Sequence, residues 1–442
     1  MFGWFAPKCP LDTWEKTWTE RRMRWLADQF GIDRLLNAKV ILPTEQYFAS
    51  PLGTDLKSVR RLLDRMCGYM GVSPAKVSLE IVADEQMPGA AGLYQQRKRS
   101  IICVARSQLA NPVSLLATLC HELAHELLLG GGLLTTQVSD HEWITDLLPV
   151  FLGTGIFLAN STIHDTSGYS SGWSWWSISR QGYLPSRIFG YAFALFAFVR
   201  GETDPSWAEH LRLDARASLH AGLRYLRKTG DCLFHPNTIR EKIPPLTSAG
   251  AVELLRTGTP TVRLATLWDV RDADLTEPGV LAVVQACLND RDAHVIAEAA
   301  RTLALFGPAA EGAIPRLLDA LWRGENSIKI GAAEALGAIR SRPETVVREL
   351  TVLLTDGSPE LVVAAARALH RFGRQAASAV PKLLAALKPA LVEGWPEPGR
   401  SLVALLQLVS DNPREILCDH FEDLELRRLA LKILRQQERE GK

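Results

Sequence analysis

The chain has 442 residues, of which 47% are hydrophobic and 22% charged, and its formal net charge is +1. That length supports two or three domains with ample core, and the near-neutral balance gives no electrostatic footprint for nucleic acid or an acidic partner. The seven cysteines, at 9, 67, 103, 120, 232, 287 and 418, form no Cys-x-x-Cys pair. They read as reduced thiols rather than a disulfide framework.

Residues 1–10 lack a basic region followed by an apolar core, so a signal peptide is not expected. The apolar segments 147–159 and 188–199 are both shorter than the roughly 20 residues of a spanning helix. A cytoplasmic protein without a membrane span is the expectation. Residues 11–38 carry Trp14, Trp18 and Trp25 at helical spacing, which predicts an amphipathic helix with its tryptophans in core contacts. Residues 39–42 read as a short strand closed by Pro43. Residues 55–70 read as a helix with Val59, Leu62, Leu63 and Met66 on one face, ending at Gly71. Strands follow at 77–83, which alternates, and at 100–105, which is continuously apolar. A third strand is expected within 89–94, before the basic turn Arg97-Lys98-Arg99.

Next comes His121-Glu122-Leu123-Ala124-His125, set in an apolar run. Asn111 can cap this helix, Pro112 fits its first position, and Gly130-Gly131-Gly132 can stop it. Positions i and i+4 share a helix face, so His121 and His125 can reach one metal ion. Glu122 lies where a carboxylate can polarise a metal-bound water. Zinc with two histidines needs a third protein ligand. Asp140-His141-Glu142 opens a second helix, with Ser139 or Asp140 as its cap, and Asp146 stands one turn after Glu142. Glu142 and its neighbour His141 compete for the third place. Cys120 points about 100° away from His121 and reads as core.

Over residues 117–146 this arrangement resembles the gluzincins, the thermolysin-like zinc peptidases. The resemblance implies Glu142 as the third ligand and Asp146 as the hydrogen-bond partner that orients His121. It also implies a small sheet ahead of the metal helix, with residues 91–95 as the edge that takes an extended peptide. A Tyr or His is expected to steady the oxyanion, and Tyr169, Tyr183, Tyr191 and His164 are the candidates. The metzincin pattern is excluded, because Leu128 and Gly131 occupy the positions where it needs Gly and His.

After the second helix, Gly153-Thr154-Gly155 is no nucleotide loop, since no strand precedes it and no third glycine follows. Small residues that let helices approach closely account for it better. Residues 166–177, rich in Ser, Gly and Trp, read as a surface loop or a lid. Helices are expected at 188–199 and 204–229, the latter with Asp204 as cap, Pro205 at its first position and Gly230 beyond its end.

From about residue 240, where Pro244-Pro245 suggests a linker, the character changes. Ala299-Ala300-Arg301-Thr302-Leu303, Ala332-Ala333-Glu334-Ala335-Leu336 and Ala365-Ala366-Arg367-Ala368-Leu369 recur every 33 residues. Each unit reads as two helices, with Pro315 and Pro381 opening one of them. Weaker copies flank these at 262–270 and 402–409, and 421–437 is a candidate polar cap. This pattern resembles HEAT repeats, which stack into arrays that bind proteins.

The expected fold is therefore mainly α. An N-terminal α+β zincin-like domain (1–240, metal core 111–160) carries a small sheet and the HExxH helix, and a C-terminal α-solenoid of HEAT-like repeats (241–442) follows. The expected function is a zinc metallopeptidase: Zn²⁺ on His121, His125 and Glu142, Glu122 as catalytic base, and the array holding a protein substrate or partner. The alternative is a HEAT-repeat binding scaffold with a structural or idle zinc site.

Overall fold

The computed structural model describes residues 7–48, 53–161, 164–170, 173–179, 183–355 and 358–440. The chain divides into two compact units, Met1–Ile243 and Pro244–Lys442.

In the first unit, α1 (Thr13–Phe30) starts at Asp12, whose carboxylate accepts from Glu15 N–H at 2.8 Å, and ends at Gly31, where φ is +84°. The short α2 (Ile32–Leu36) follows that break. Residues 39–42 form no strand; Ile41 N–H instead donates to the Gly153 carbonyl at 2.9 Å. Gly153 has φ +85°, and a Cβ there would lie 2.5 Å from the Lys39 carbonyl oxygen. The glycine thus serves a chain approach, though to an extended segment rather than to a second helix.

Helix α3 (Leu56–Met70) buries Val59, Leu62, Leu63 and Met66 and stops at Gly71, with φ +72°. Strands β1 (Val77–Val82), β2 (Gly92–Gln95) and β3 (Ser100–Ala105) form one sheet of order β1-β3-β2. β3 runs parallel to β1 and antiparallel to β2, so the apolar run Ile101–Val104 is central and β2 is an edge. Helix α4 (Pro112–His125) packs against β2, β3 and α3 and buries Leu115, Leu116, Leu119, Cys120 and Leu123. Asn111 caps it, accepting from Val113 and Ser114 N–H at 3.1 and 3.2 Å. The helix continues as a π-helical turn, Glu126–Gly130.

Among the described residues, Pro112–Gly130 is the one helix long and apolar enough to cross a membrane by length and composition. Most of it is buried inside the protein, as in the core helix of a soluble domain.

Helix α5 (His141–Phe151) leads through Gly153 and Gly155 into α6 (Ile156–Ser161). Within the segment read as a loop or lid, residues 166–170 and 173–177 belong to two paired antiparallel strands, β4 (His164–Ser170) and β5 (Trp173–Ser179). Helix α7 (Ser186–Val199) packs on α8 (Leu213–Thr229), which ends at Gly230 with φ +65°. The helix expected from 204 begins only at Leu213, after a 3₁₀ turn at Ser206–His210. The reason is tertiary. Asn160 donates to the His210 carbonyl at 2.8 Å and accepts from Arg212 N–H at 2.9 Å, which holds the chain extended there.

In the second unit the alanine-rich segments lie on Ala293–Leu303, Asn326–Ile339 and Pro359–Phe372, each packed on the next. Ala299, Ala300, Ala332, Ala333, Ala365 and Ala366 are fully buried. Pro315 and Pro381 fall in the first turns of Ile314–Arg323 and Val380–Val392. The flanking copies are the helices Pro260–Asp272 and Pro396–Val409, and Leu424–Glu440 closes the described chain. The 33-residue period also relates Gly307, Arg340 and Gly373, which follow the inner helices with φ of +50°, +52° and +59°. The two glycines have ψ of −134° and −138°, while the middle position, an arginine, has ψ 25° and is left-handed helical.

Candidate metal centre

The centre is built where α4 and α5 face each other. On α4, His121 and His125 are one turn apart with ring centroids 4.7 Å apart. On α5, Glu142 Oε2 lies 3.2 Å from His121 Nε2 and 3.4 Å from His125 Nε2. One donor atom from each of His121, His125 and Glu142 falls within 4.8 Å of the others. Two donors about 2.05 Å from a tetrahedral ion lie about 3.3 Å apart. The two nitrogen-to-oxygen separations therefore match edges of such a tetrahedron. Glu142 Oε2 is shielded from solvent and lacks a hydrogen bond of ordinary geometry. These residues fit a divalent cation, zinc above all, because imidazole and carboxylate are its usual N and O donors.

The surrounding contacts orient the donors. Asp146, fully buried, has Oδ1 2.8 Å from His121 Nδ1. Its Oδ2 accepts from the backbone N–H groups of Tyr183 and Leu184 at 2.7 and 3.0 Å. With Nδ1 engaged, Nε2 of His121 is the nitrogen that faces Glu142. His141 stands beside the three donors rather than among them. Its Nδ1 lies 2.8 Å from the Val138 carbonyl oxygen and its Nε2 3.2 Å from Glu142 Oε1.

Burial opposes charge on His121, but the facing carboxylates of Asp146 and Glu142 outweigh it and raise its pKa well above the ordinary value. At His125 burial prevails and the pKa falls. Burial also disfavours the Glu142 carboxylate, yet the two imidazoles hold it below the usual carboxylate range. Burial pushes Glu122 up to about 7. Its Oε2 is buried with no hydrogen-bond partner. A Cβ at Gly92 would fall 2.4 Å from Glu122 Oε1, so the β2 backbone passes directly over this carboxylate. A cleft of about 570 Å³ opens beside it, bordered by Met87, Gly92, Thr118, His121, Tyr183 and Phe189.

Three sets of contacts at the centre have no signature in the sequence. Asp140 makes no cap bond at α5. Its Oδ2 accepts instead from Trp18 Nε1 at 2.7 Å and Arg22 Nε at 2.8 Å, while Trp14 and Trp18 pack edge-on against Trp143. The tryptophans, read as core contacts, thus also clamp the start of α5. Tyr183 stacks on His121 at 5.8 Å and 23°. Tyr94 stacks on His125 at 5.9 Å and 25°. No spacing rule links either tyrosine to the histidines. Among the oxyanion candidates, Tyr183 borders the cleft, while Tyr191 is fully buried and donates to Glu20 Oε1 at 2.6 Å, away from the centre. The side chains of His164 and Tyr169 lie outside the described residues.

Residues 248–337 match the family model for HEAT repeats, and the second unit is a HEAT-repeat array over that stretch. No curated protein matches the chain. Among solved structures, the complex of CpcE and CpcF of phycocyanin lyase from Nostoc sp. PCC7120 is similar at 24% identity, with 44% of this chain and 78% of that chain covered and a TM-score of 0.33. An engineered protein is similar at 21% identity, with 42% and 94% covered and a TM-score of 0.32.

Proposed function

We propose that the chain is a zinc-dependent hydrolase acting on peptide bonds, with the HEAT repeats binding a protein substrate or partner. The observation behind this reading is the seat of Glu142 Oε2, 3.2 and 3.4 Å from the two Nε2 atoms. His121, His125 and Glu142 would hold the ion, which when bound polarises a carbonyl and brings the pKa of water towards about 7. Glu122 takes up a proton at Oε2 and returns it to the leaving amine. Burial that raises its proton affinity suits it to both tasks. Asp146 keeps His121 in the tautomer whose Nε2 faces the site. The free edge of β2, residues 92–95, offers backbone donors and acceptors to an extended substrate beside Glu122.

A second reading is a HEAT-repeat protein-binding scaffold whose zinc site is structural or idle. The family match over 248–337 supports it more directly than it supports hydrolysis. Against it stands Glu122, a buried carboxylate without a partner that a purely structural site would not need.

Elemental analysis of the wild type, Glu142→Ala and Glu122→Gln separates these readings. We expect about one zinc per chain in the wild type, lost in Glu142→Ala and retained in Glu122→Gln. Peptide hydrolysis should fall at least about 100-fold in Glu122→Gln, as for loss of a general base. Zinc that survives Glu142→Ala undiminished would sink the ligand set and turn attention to His141. Zinc present with no hydrolysis of peptides or of captured partners would favour the scaffold.

A further inference from the structure

We infer that Tyr94 is the positioning residue for His125, doing by ring stacking and a fixed hydroxyl what Asp146 does for His121 by hydrogen bonding. The inference rests on the metal reading above. The two imidazoles are supported unequally. His121 Nδ1 has a carboxylate oxygen at 2.8 Å, whereas the contact of His125 Nδ1 among the described residues is the Thr145 hydroxyl, at 3.5 Å. That hydroxyl already gives its proton to the His141 carbonyl at 2.8 Å. It can only accept from His125, and at a distance where little hydrogen-bond energy remains. His125 therefore needs another element to fix its ring plane.

Tyr94 is that element. It lies on the edge strand β2, paired opposite Ile102 of the central strand. Its ring covers the His125 ring at 5.9 Å between centroids and 25° between planes. The ring is held at its far end too. Its hydroxyl donates to Glu126 Oε2 at 2.8 Å and lies 3.0 Å from the buried Ser100 Oγ, which can donate back to it. A phenol is protonated at neutral pH, so the hydroxyl stays a donor to Glu126.

The π-helical turn Glu126–Gly130 completes the arrangement. A Cβ at Gly130 would lie 2.6 Å from the Tyr94 hydroxyl and 2.7 Å from Glu126 Oε2, so the turn closes on this pair and leaves no room for a side chain. Gly92 and Tyr94, two residues apart, share one face of the strand. One leaves space for Glu122 and the other braces His125.

The test is zinc affinity of the full chain, measured by competition with a chromophoric chelator. The visible spectrum of the cobalt-loaded protein is recorded alongside it. Tyr94→Leu should weaken zinc about 10- to 100-fold, as losses of outer-shell support do, and should alter the cobalt spectrum. Tyr94→Phe keeps the ring but not its anchor and should lose only a few-fold. Wild-type affinity and spectrum in Tyr94→Leu would overturn the inference, even if the metal-free protein melts earlier. Should Tyr94→Leu not fold, Gly130→Ala, whose methyl displaces the hydroxyl, should lower affinity several-fold; unchanged affinity there would also overturn it. A wild type that binds no zinc is a separate result: it overturns the metal reading itself.

Discussion

Between α4 and α5, Glu122, His125 and Asp146 are buried and His121 and Glu142 are partly buried, all gathered at one point. Along the inner helices of the repeat unit, six alanines are buried at three repeat-equivalent pairs of positions. One charge is buried among them, Glu298, and it is paired with Arg271 and with Arg301 Nη1 at 3.4 Å, while Arg301 Nε lies 3.7 Å from the exposed Glu334. The difference is one of interdependence. Around α4 and α5 the polar groups interlock: Asp146 serves His121 and the Tyr183 and Leu184 N–H groups, and Glu142 faces His121, His125 and His141, so removing one group leaves several others with a desolvation cost. In the repeats each contact has near-copies one period away, and stability is closer to a sum of local terms.

Three substitutions probe that contrast, in descending order of effect. Asp146→Asn should lower zinc affinity about 10- to 100-fold. An amide cannot accept from both Tyr183 and Leu184 N–H and also serve His121 without presenting a donor to a donor. Chelator competition measures this, and an unchanged affinity would mean that the convergence at α4 and α5 is not a metal site. Gly337→Leu should destabilise the repeat unit by about 1–3 kcal/mol, an overpacking cost, because a Cβ at Gly337 would meet Ala368 Cα at 2.7 Å. The same variant should leave zinc stoichiometry alone; denaturant unfolding followed beside metal content checks both. A loss of zinc would break the comparison, because damage confined to the repeats would then have reached α4 and α5. Arg340→Gly should stabilise the repeats by up to about 1 kcal/mol, since a non-glycine residue at φ +52° gives up roughly that much. A lowered unfolding midpoint would mean that the arginine side chain makes a compensating contact.

The repeat period was legible because stacking imposes the same small residues at the same spacing, so the alanines identify the inner helices without any tertiary information. The capped helix at Pro112 and the i, i+4 histidines were legible for a similar reason: their geometry is internal to one helix. What the sequence by itself determined is thus whatever local periodicity encodes, namely the repeat helices, the strands read at 77–83 and 100–105, which form at 77–82 and 100–105, and the placing of His121 and His125 one turn apart on one helix. Tertiary structure decided the rest. It set the sheet order that leaves β2 at the edge, diverted Asp140 from a cap to Trp18 and Arg22, and delayed α8 through Asn160. It also brought Tyr94 and Tyr183 onto the two histidines. Each of these joins residues with no fixed spacing between them, and a ring stack or a buried hydrogen bond depends on where the packed chain brings two groups together.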